Sequence, residues 1–182
     1  MVEGDALALP PEAAEGVRRF VRAVHGEDDA LIEALVLAAA DSCERFTRRV
    51  LTARGFGETL LLDEGWARLA RTPVRSISGL EAVGADGAAT ALGAADYALD
   101  IDENGDGWVR LTGAPRRRVR VTYEAGLAAA WADLPDALSH GVVRLAAHFY
   151  TLRGDAERAG LAPEPPASVS ALWRPFRRLS LS

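Results

Sequence analysis

The sequence predicts an α+β fold: a bundle of about four helices, an inserted antiparallel β-meander or β-sheet region, and an extended C-terminal arm. Three observations predict it. Apolar residues recur at helical spacing towards both ends of the chain and alternate in the middle. The alternating stretches are short and joined by Gly-, Asp- and Asn-rich turns, which favours antiparallel pairing over a parallel sheet. A stiff Ala162–Pro166 segment then separates the last helical stripe from an aromatic, basic tail.

Residues 1–9 carry small and acidic residues without pattern and read as a flexible arm. The core is assigned to residues 10–160, with helices over 10–25, 27–51 and 135–153 and a β region over 56–124. Pro10 and Pro11 open the first helix, Val17, Phe20, Val21 and Val24 form its apolar stripe, and Gly26 is its expected stop. Glu27, Asp28 and Asp29 open the second helix, where carboxylates suit the positive end of the dipole. That helix has two adjacent apolar faces: Leu31, Leu35, Ala38, Ser42 and Phe46, then Ile32, Val36, Ala39, Cys43 and Val50. Both are expected to be covered, which makes it central.

From Glu58 the period becomes two. Strands are expected at Glu58–Leu62, Val74–Val83, Ala88–Leu92, Tyr97–Ile101, Trp108–Leu111 and Arg118–Tyr123. Gly126 ends the last of these, which reads as a sheet edge. Pro135 suits the first turn of a core helix, with Asp133 as its cap. Leu138, Val142, Leu145, Phe149 and Leu152 make its stripe, and Gly154 is its expected stop. Residues 161–182 are assigned to a linker and arm, because Trp173 and Phe176 lie well beyond the core pattern.

At 182 residues the chain can bury roughly 70% of its unfolded surface without disulfide support. One cysteine excludes an internal disulfide and suits a reducing compartment. No apolar run is long enough to span a membrane. All 21 basic residues are arginine, and the net charge of −5 argues against a general nucleic-acid binder.

Catalytic signatures are weak. Asp102-Glu103-Asn104-Gly105-Asp106-Gly107 matches half a calcium loop, but Gly113 stands where the bidentate Glu is needed. A hairpin turn is the plainer reading; a metal-dependent hydrolase using Asp102 and Asp106 is the minor alternative. His25, His140 and His148 lack zinc-helix spacing, and Cys43 sits within an apolar helical face. No enzyme, metal or cofactor is assigned.

Two clusters invite a binding role. Arg116, Arg117, Arg118 and Arg120 read either as a solvated strand face that protects an edge, or as a contact for DNA phosphates or an acidic partner. A DNA-binding packaging or regulatory module using them is the runner-up function. The tail offers Leu172, Trp173, Arg174, Phe176, Arg177, Arg178, Leu179 and Leu181, the residue types that anchor interfaces. Packing back onto its own domain is the alternative for that segment.

The ordered set of helices, PVRSISGLEAVGADGAATALGAADYALD, GWVRLTGAPRRRVRVTYEAGL, LPDALSHGVVRLAAHFYTLRG and ALWRPFRRL resembles the head–tail connector (adaptor) proteins of long-tailed phages and gene transfer agents. The resemblance covers about Asp29 to Leu179. Its carriers are Pro135 at a helix start, Phe149-Tyr150 near that helix's end, and Trp173-Arg174-Pro175-Phe176-Arg177-Arg178 in the tail. It implies a structural virion protein of the head–tail neck, assembled in the bacterial cytoplasm. It further implies a dodecameric ring below the portal that extends the DNA channel, without sequence-specific binding to the double-stranded DNA passing through. The implied partners are the portal protein, neighbouring copies, and the next neck, stopper or tail component. The tail residues would anchor in the portal.

Overall fold

A computed structural model describes every residue except 9, 24, 25, 27, 114, 115, 160–164 and 179–182, together with the side chains of all but 153–159 among them. The chain divides into two compact units. One is Met1–Ala6 with Thr52–Ala130; the other is Leu7–Leu51 with the chain from Trp131 onward. The expected α+β content is present, with four α-helices among the described residues and antiparallel pairing between all the strands.

Among the described residues the β unit holds eight strands: β1 (Val2–Gly4), β2 (Arg54–Leu62), β3 (Ala67–Arg68), β4 (Val74–Val83), β5 (Ala89–Ala91), β6 (Tyr97–Ile101), β7 (Gly107–Leu111) and β8 (Arg117–Ala125). They form a five-stranded sheet in the order β1-β2-β8-β4-β5 and a three-stranded sheet in the order β3-β7-β6. The connectivity is therefore not a meander, because the last strand inserts between β2 and β4. β8 is a central strand, not the edge expected from sequence. It pairs with β2 on one side and β4 on the other, and its alternation turns Val119, Val121, Tyr123 and Ala125 to the buried face of the sheet. β1 arises inside the segment read as a loose arm, its Val2 and Gly4 paired with Glu58 and Phe56.

Phe56 stacks on Tyr123 at 5.7 Å between centroids. Beside them Glu58 is 5% exposed, its carboxylate accepting from the Tyr123 hydroxyl at 3.0 Å and the Ala70 N–H at 2.9 Å. The phenol oxygen in turn accepts from the Arg71 N–H at 3.2 Å. Burial, reinforced by Glu58, holds the Tyr123 hydroxyl well above its ordinary titration range. An unfolded tyrosine loses its proton near pH ~10, whereas the folded one keeps it. The folded state then binds more protons, so this contribution is intact below pH ~10 and is lost as the pH rises beyond it. Tyr123→Phe should cost about 1–3 kcal/mol at neutral pH, since Glu58 loses a donor. It should also flatten the alkaline decline in stability; urea titrations at neutral and alkaline pH would check both.

The helical unit contains α1 (Pro11–Val21), α2 (Asp29–Thr47), a 3-10 turn (Trp131–Asp133), α3 (Asp136–Ala159), α4 (Ala167–Trp173) and a final 3-10 turn (Arg174–Phe176). α1 closes at Arg22, in the left-handed region at φ 55°, rather than running to Gly26. Of its expected stripe Val17 is buried but Phe20 is 58% exposed, and Val24 lies outside the described residues. Pro135 opens α3 as expected, its carbonyl accepting from the Leu138 N–H at 2.8 Å, while Asp133 belongs to the preceding turn. Leu138, Val142 and Leu145 are fully buried. α3 continues through Gly154 to Ala159. A helix tolerates an internal glycine at about 1 kcal/mol, so this one is no stop.

The C-terminal segment departs most from the sequence expectation. Residues 167–173 are helical, and Trp173 is fully buried in the helical unit, not a free anchor. Its indole lies 5.8 Å from the Phe46 ring, centroid to centroid. A Cβ on Gly141 would fall 2.2 Å from its Nε1, so α3 carries glycine where the indole seats. The Arg178 N–H donates to the Thr47 carbonyl at 2.9 Å, tying the end of the segment to the end of α2. Residues 162–164 of the expected linker lie outside the described residues; beyond them, an apolar stripe of Val169 and Trp173 gives the segment a reason to fold back.

Candidate interaction surfaces

The half calcium loop joins β6 to β7, and its carboxylates are engaged within the turn. Asp102 Oδ1 accepts from the N–H groups of Asn104 and Asp106, each at 2.9 Å. Its Oδ2 accepts from Trp108 Nε1 at 3.1 Å, and Asp106 Oδ1 accepts from the Thr72 hydroxyl at 3.2 Å. Gly105 sits at φ +77° with the Pro73 Cβ 2.5 Å from where its own Cβ would be, so only glycine fits. No metal-capable cluster occurs among the described residues. Asp102→Ala should therefore destabilise the hairpin by about 1–3 kcal/mol by orphaning three donors. Added calcium should leave the melting temperature of the parent chain unchanged, as calorimetric scans with and without the ion would show.

Of the other candidates for chemistry, Cys43 is fully buried, and burial pushes its thiol far above the ordinary range. His140 is exposed on α3, His148 is half-buried about two turns on, and His25 lies outside the described residues.

The arginine cluster does not form one patch. Strand alternation sends Arg118 and Arg120 to the outer face of the five-stranded sheet, with Thr122 and Glu124, while Arg117 shares the parity of buried Val119 and is half-buried. Arg116 precedes the strand and is exposed. The outer face carries acids as well: Arg120 meets Glu3 at 3.6 Å and lies opposite Glu81, and Arg75 meets Glu124 at 3.3 Å. Arg118 lines a groove of about 490 Å³ with Met1, Thr59, Leu60, Leu61 and Val83. This mixed face lacks the continuous positive charge that tracks a phosphate backbone.

In the tail, Trp173 points inward, whereas Arg174 and Arg177 are exposed and Leu172, Phe176 and Arg178 are partly covered. Arg177 stacks over the Phe46 ring, its guanidinium carbon 5.7 Å from the centroid. Leu179 and Leu181 lie outside the described residues. The docked α4 thus presents a rim of cations around a buried aromatic.

Two surfaces of the helical unit escaped the sequence reading. The α2 face through Leu31, Leu35, Ala38, Ser42 and Phe46, expected to be covered, is open only over its first half: Leu31 is 38% exposed, Ala38 is exposed and Leu35 is half-covered, whereas Ser42 is half-covered and Phe46 packs on Trp173. Only the Ile32, Val36, Ala39 and Cys43 face is buried. The sequence signal was present, since residues 30–40 are apolar all round apart from Glu33, but it could not say whether this chain supplies both covers. The second surface is a groove of about 650 Å³ between α1 and α3, lined by Gly16, Arg19, Phe20, Trp131, Asp136, Ser139, His140 and Val143. Its signal was Phe20, whose position on the edge of the α1 stripe left it half outside the core.

Known structures match the whole chain. A chain in the neck of an empty gene transfer agent particle, computed with C6 symmetry, superposes with a TM-score of 0.77 at 28% identity, covering 100% of this chain and 97% of that one. A chain in the neck of a native particle, computed with C12 symmetry, gives 0.75 at 28% identity with the same coverage. A chain in the virion of a native gene transfer agent particle gives 0.74 at 27%, again over 100% and 97%. No family model matches the chain, and no curated protein does.

Proposed function

We propose, from the premise that this chain is a member of the head–tail connector proteins of the gene transfer agent neck, that its copies close into a ring about the neck axis. Its role is structural rather than catalytic, and its place is the neck of a phage-like particle. The observation that carries the ring is the end-to-end match to chains from necks computed with sixfold and twelvefold symmetry. Twelve copies would satisfy both symmetries. The bore of such a ring would extend the path of double-stranded DNA, held without sequence-specific contact, and a mixed surface such as the β8 face suits passage better than grip. The portal would lie on one side of the ring and the next neck or tail component on the other.

The docked C-terminal segment is our candidate for the portal contact. Trp173 would fix α4 from inside, leaving Leu172, Arg174, Phe176, Arg177 and Arg178 to meet the partner; Leu179 and Leu181, which belong to the same proposed contact, lie outside the described residues. Arg174 and Arg177 are exposed, so reversing both to Glu should leave folding intact. It should weaken co-purification with the portal about tenfold or more, the effect of losing roughly 1.4 kcal/mol. Undiminished portal recovery by the double variant would remove the segment from that role. The ring itself is tested by tagging the chain in particle-forming cells and imaging purified particles. A tag found elsewhere than the neck would overturn the reading.

A further inference from the structure

We infer that one copy meets the next by seating the outward face of α2 in the α1–α3 groove of its neighbour. This rests on the ring reading above and names the two surfaces that would build it. A helix that stays in water carries polar residues on its outer side. α2 instead turns Ala30, Leu31, Ala34, Leu37 and Ala38 outward over its first three turns, all exposed. Leu31 and Leu37 are 38% and 36% exposed, so this apolar face is only partly covered by the described residues of the helical unit.

The occupant follows from closure and complementarity. A ring needs two different patches on each copy, because a patch that meets itself closes at two copies. α2 contributes nothing to the α1–α3 groove, so the two surfaces are distinct. The groove has an apolar floor, with Phe20 58% exposed beside Trp131 and Val143. Arg19, His140 and Asp136 line it, with Arg19 paired to Glu15 at 3.2 Å, while Glu33 and Asp41 border the α2 face, with Asp41 paired to Arg45 at 3.2 Å. Apolar thus meets apolar, and Glu33 of α2 is placed to face the side of the groove that carries Arg19 and His140. Ala34 and Ala38 are small enough to let the helix approach the groove closely.

The test uses the full chain in particle-forming cells. Two differently tagged copies are co-expressed, one carrying Ala34→Cys and the other His140→Cys, and purified particles are treated with a short bis-maleimide. Both positions are exposed, and native Cys43 is buried with an unreactive thiol. The expected product is a cross-linked pair bearing both tags, with none from either variant alone. If both variants enter the particle but no mixed pair forms, or Ala34→Cys alone cross-links to itself, this surface assignment is overturned and the ring reading stands. If the tagged parent chain never enters particles, the ring reading fails instead. Ala38→Cys with Arg19→Cys is the second pair, to be used where an unchanged melting curve is not obtained for the first.

Discussion

Trp173→Ala is expected to destabilise the chain by about 3–5 kcal/mol, the range for deleting a fully buried large aromatic. The indole is among the largest fully buried side chains, and it joins α4 to α3 at Gly141 and to α2 at Phe46. Its Nε1–H is buried with no hydrogen-bond partner among the described residues, which offsets part of the gain from burial. Trp173→Phe should therefore cost much less than Trp173→Ala. Gly141→Ala in the parent chain should cost about 1–3 kcal/mol, because its Cβ would lie 2.2 Å from Nε1. In the Trp173→Ala background the same methyl enters the vacated space, so the two changes should be strongly non-additive. Urea unfolding of the four chains gives the coupling. A shift below about 1 kcal/mol for Trp173→Ala would mean that the tail does not pack here in solution, and would return Trp173 to the surface-anchor role its sequence suggested.

Gly126→Ala should abolish stable folding of the β unit or cost more than about 3 kcal/mol. A Cβ there would lie 2.4 Å from the Ala53 nitrogen, 2.5 Å from its Cα and 2.6 Å from the Thr52 carbonyl carbon. All three are backbone atoms, so no side-chain rotation relieves the clash. Moving the strands apart would break the Ala53 N–H bond to the Ala128 carbonyl and the Gly126 N–H bond to the Pro73 carbonyl, each 2.8 Å long. Gly79→Ala is the control. Its Cβ would meet nothing within 4 Å, and a residue with less backbone freedom in β4 should be neutral or stabilising by up to about 1 kcal/mol. Soluble yield and urea midpoints of the two variants would decide. A Gly126→Ala chain as stable as the parent would show that this close approach is not maintained.

Much of the β unit was readable because strand alternation is local. Val74–Val83 and Tyr97–Ile101 were placed residue for residue, and Val119, Val121 and Tyr123 were assigned to the inner face. β1 and β3 were missed because three and two residues carry no period of their own. Their strand state comes from the neighbours they pair with, β2 and β7. The candidate surfaces were less legible. Arg118 and Arg120 were correctly set on one wet face, yet Glu3, which tempers that charge, comes from residues far away in sequence. Gly26 and Gly154 looked like helix stops, but Arg22 ended α1 first, and Gly154 lies inside α3.

Periodicity, turn chemistry and the ordered set of motifs were enough to give the α+β class, most strand positions, the absence of a complete metal-ligand set in the loop at Asp102, and the resemblance to neck connectors. These depend on spacing along the chain. Strand order, the burial of Trp173 and the exposure of the α2 outer face came only from the tertiary structure. An apolar residue records that it gains by leaving water, but not which surface covers it. For Trp173 that cover is its own α3; Leu31 and Ala38 stay exposed among the described residues.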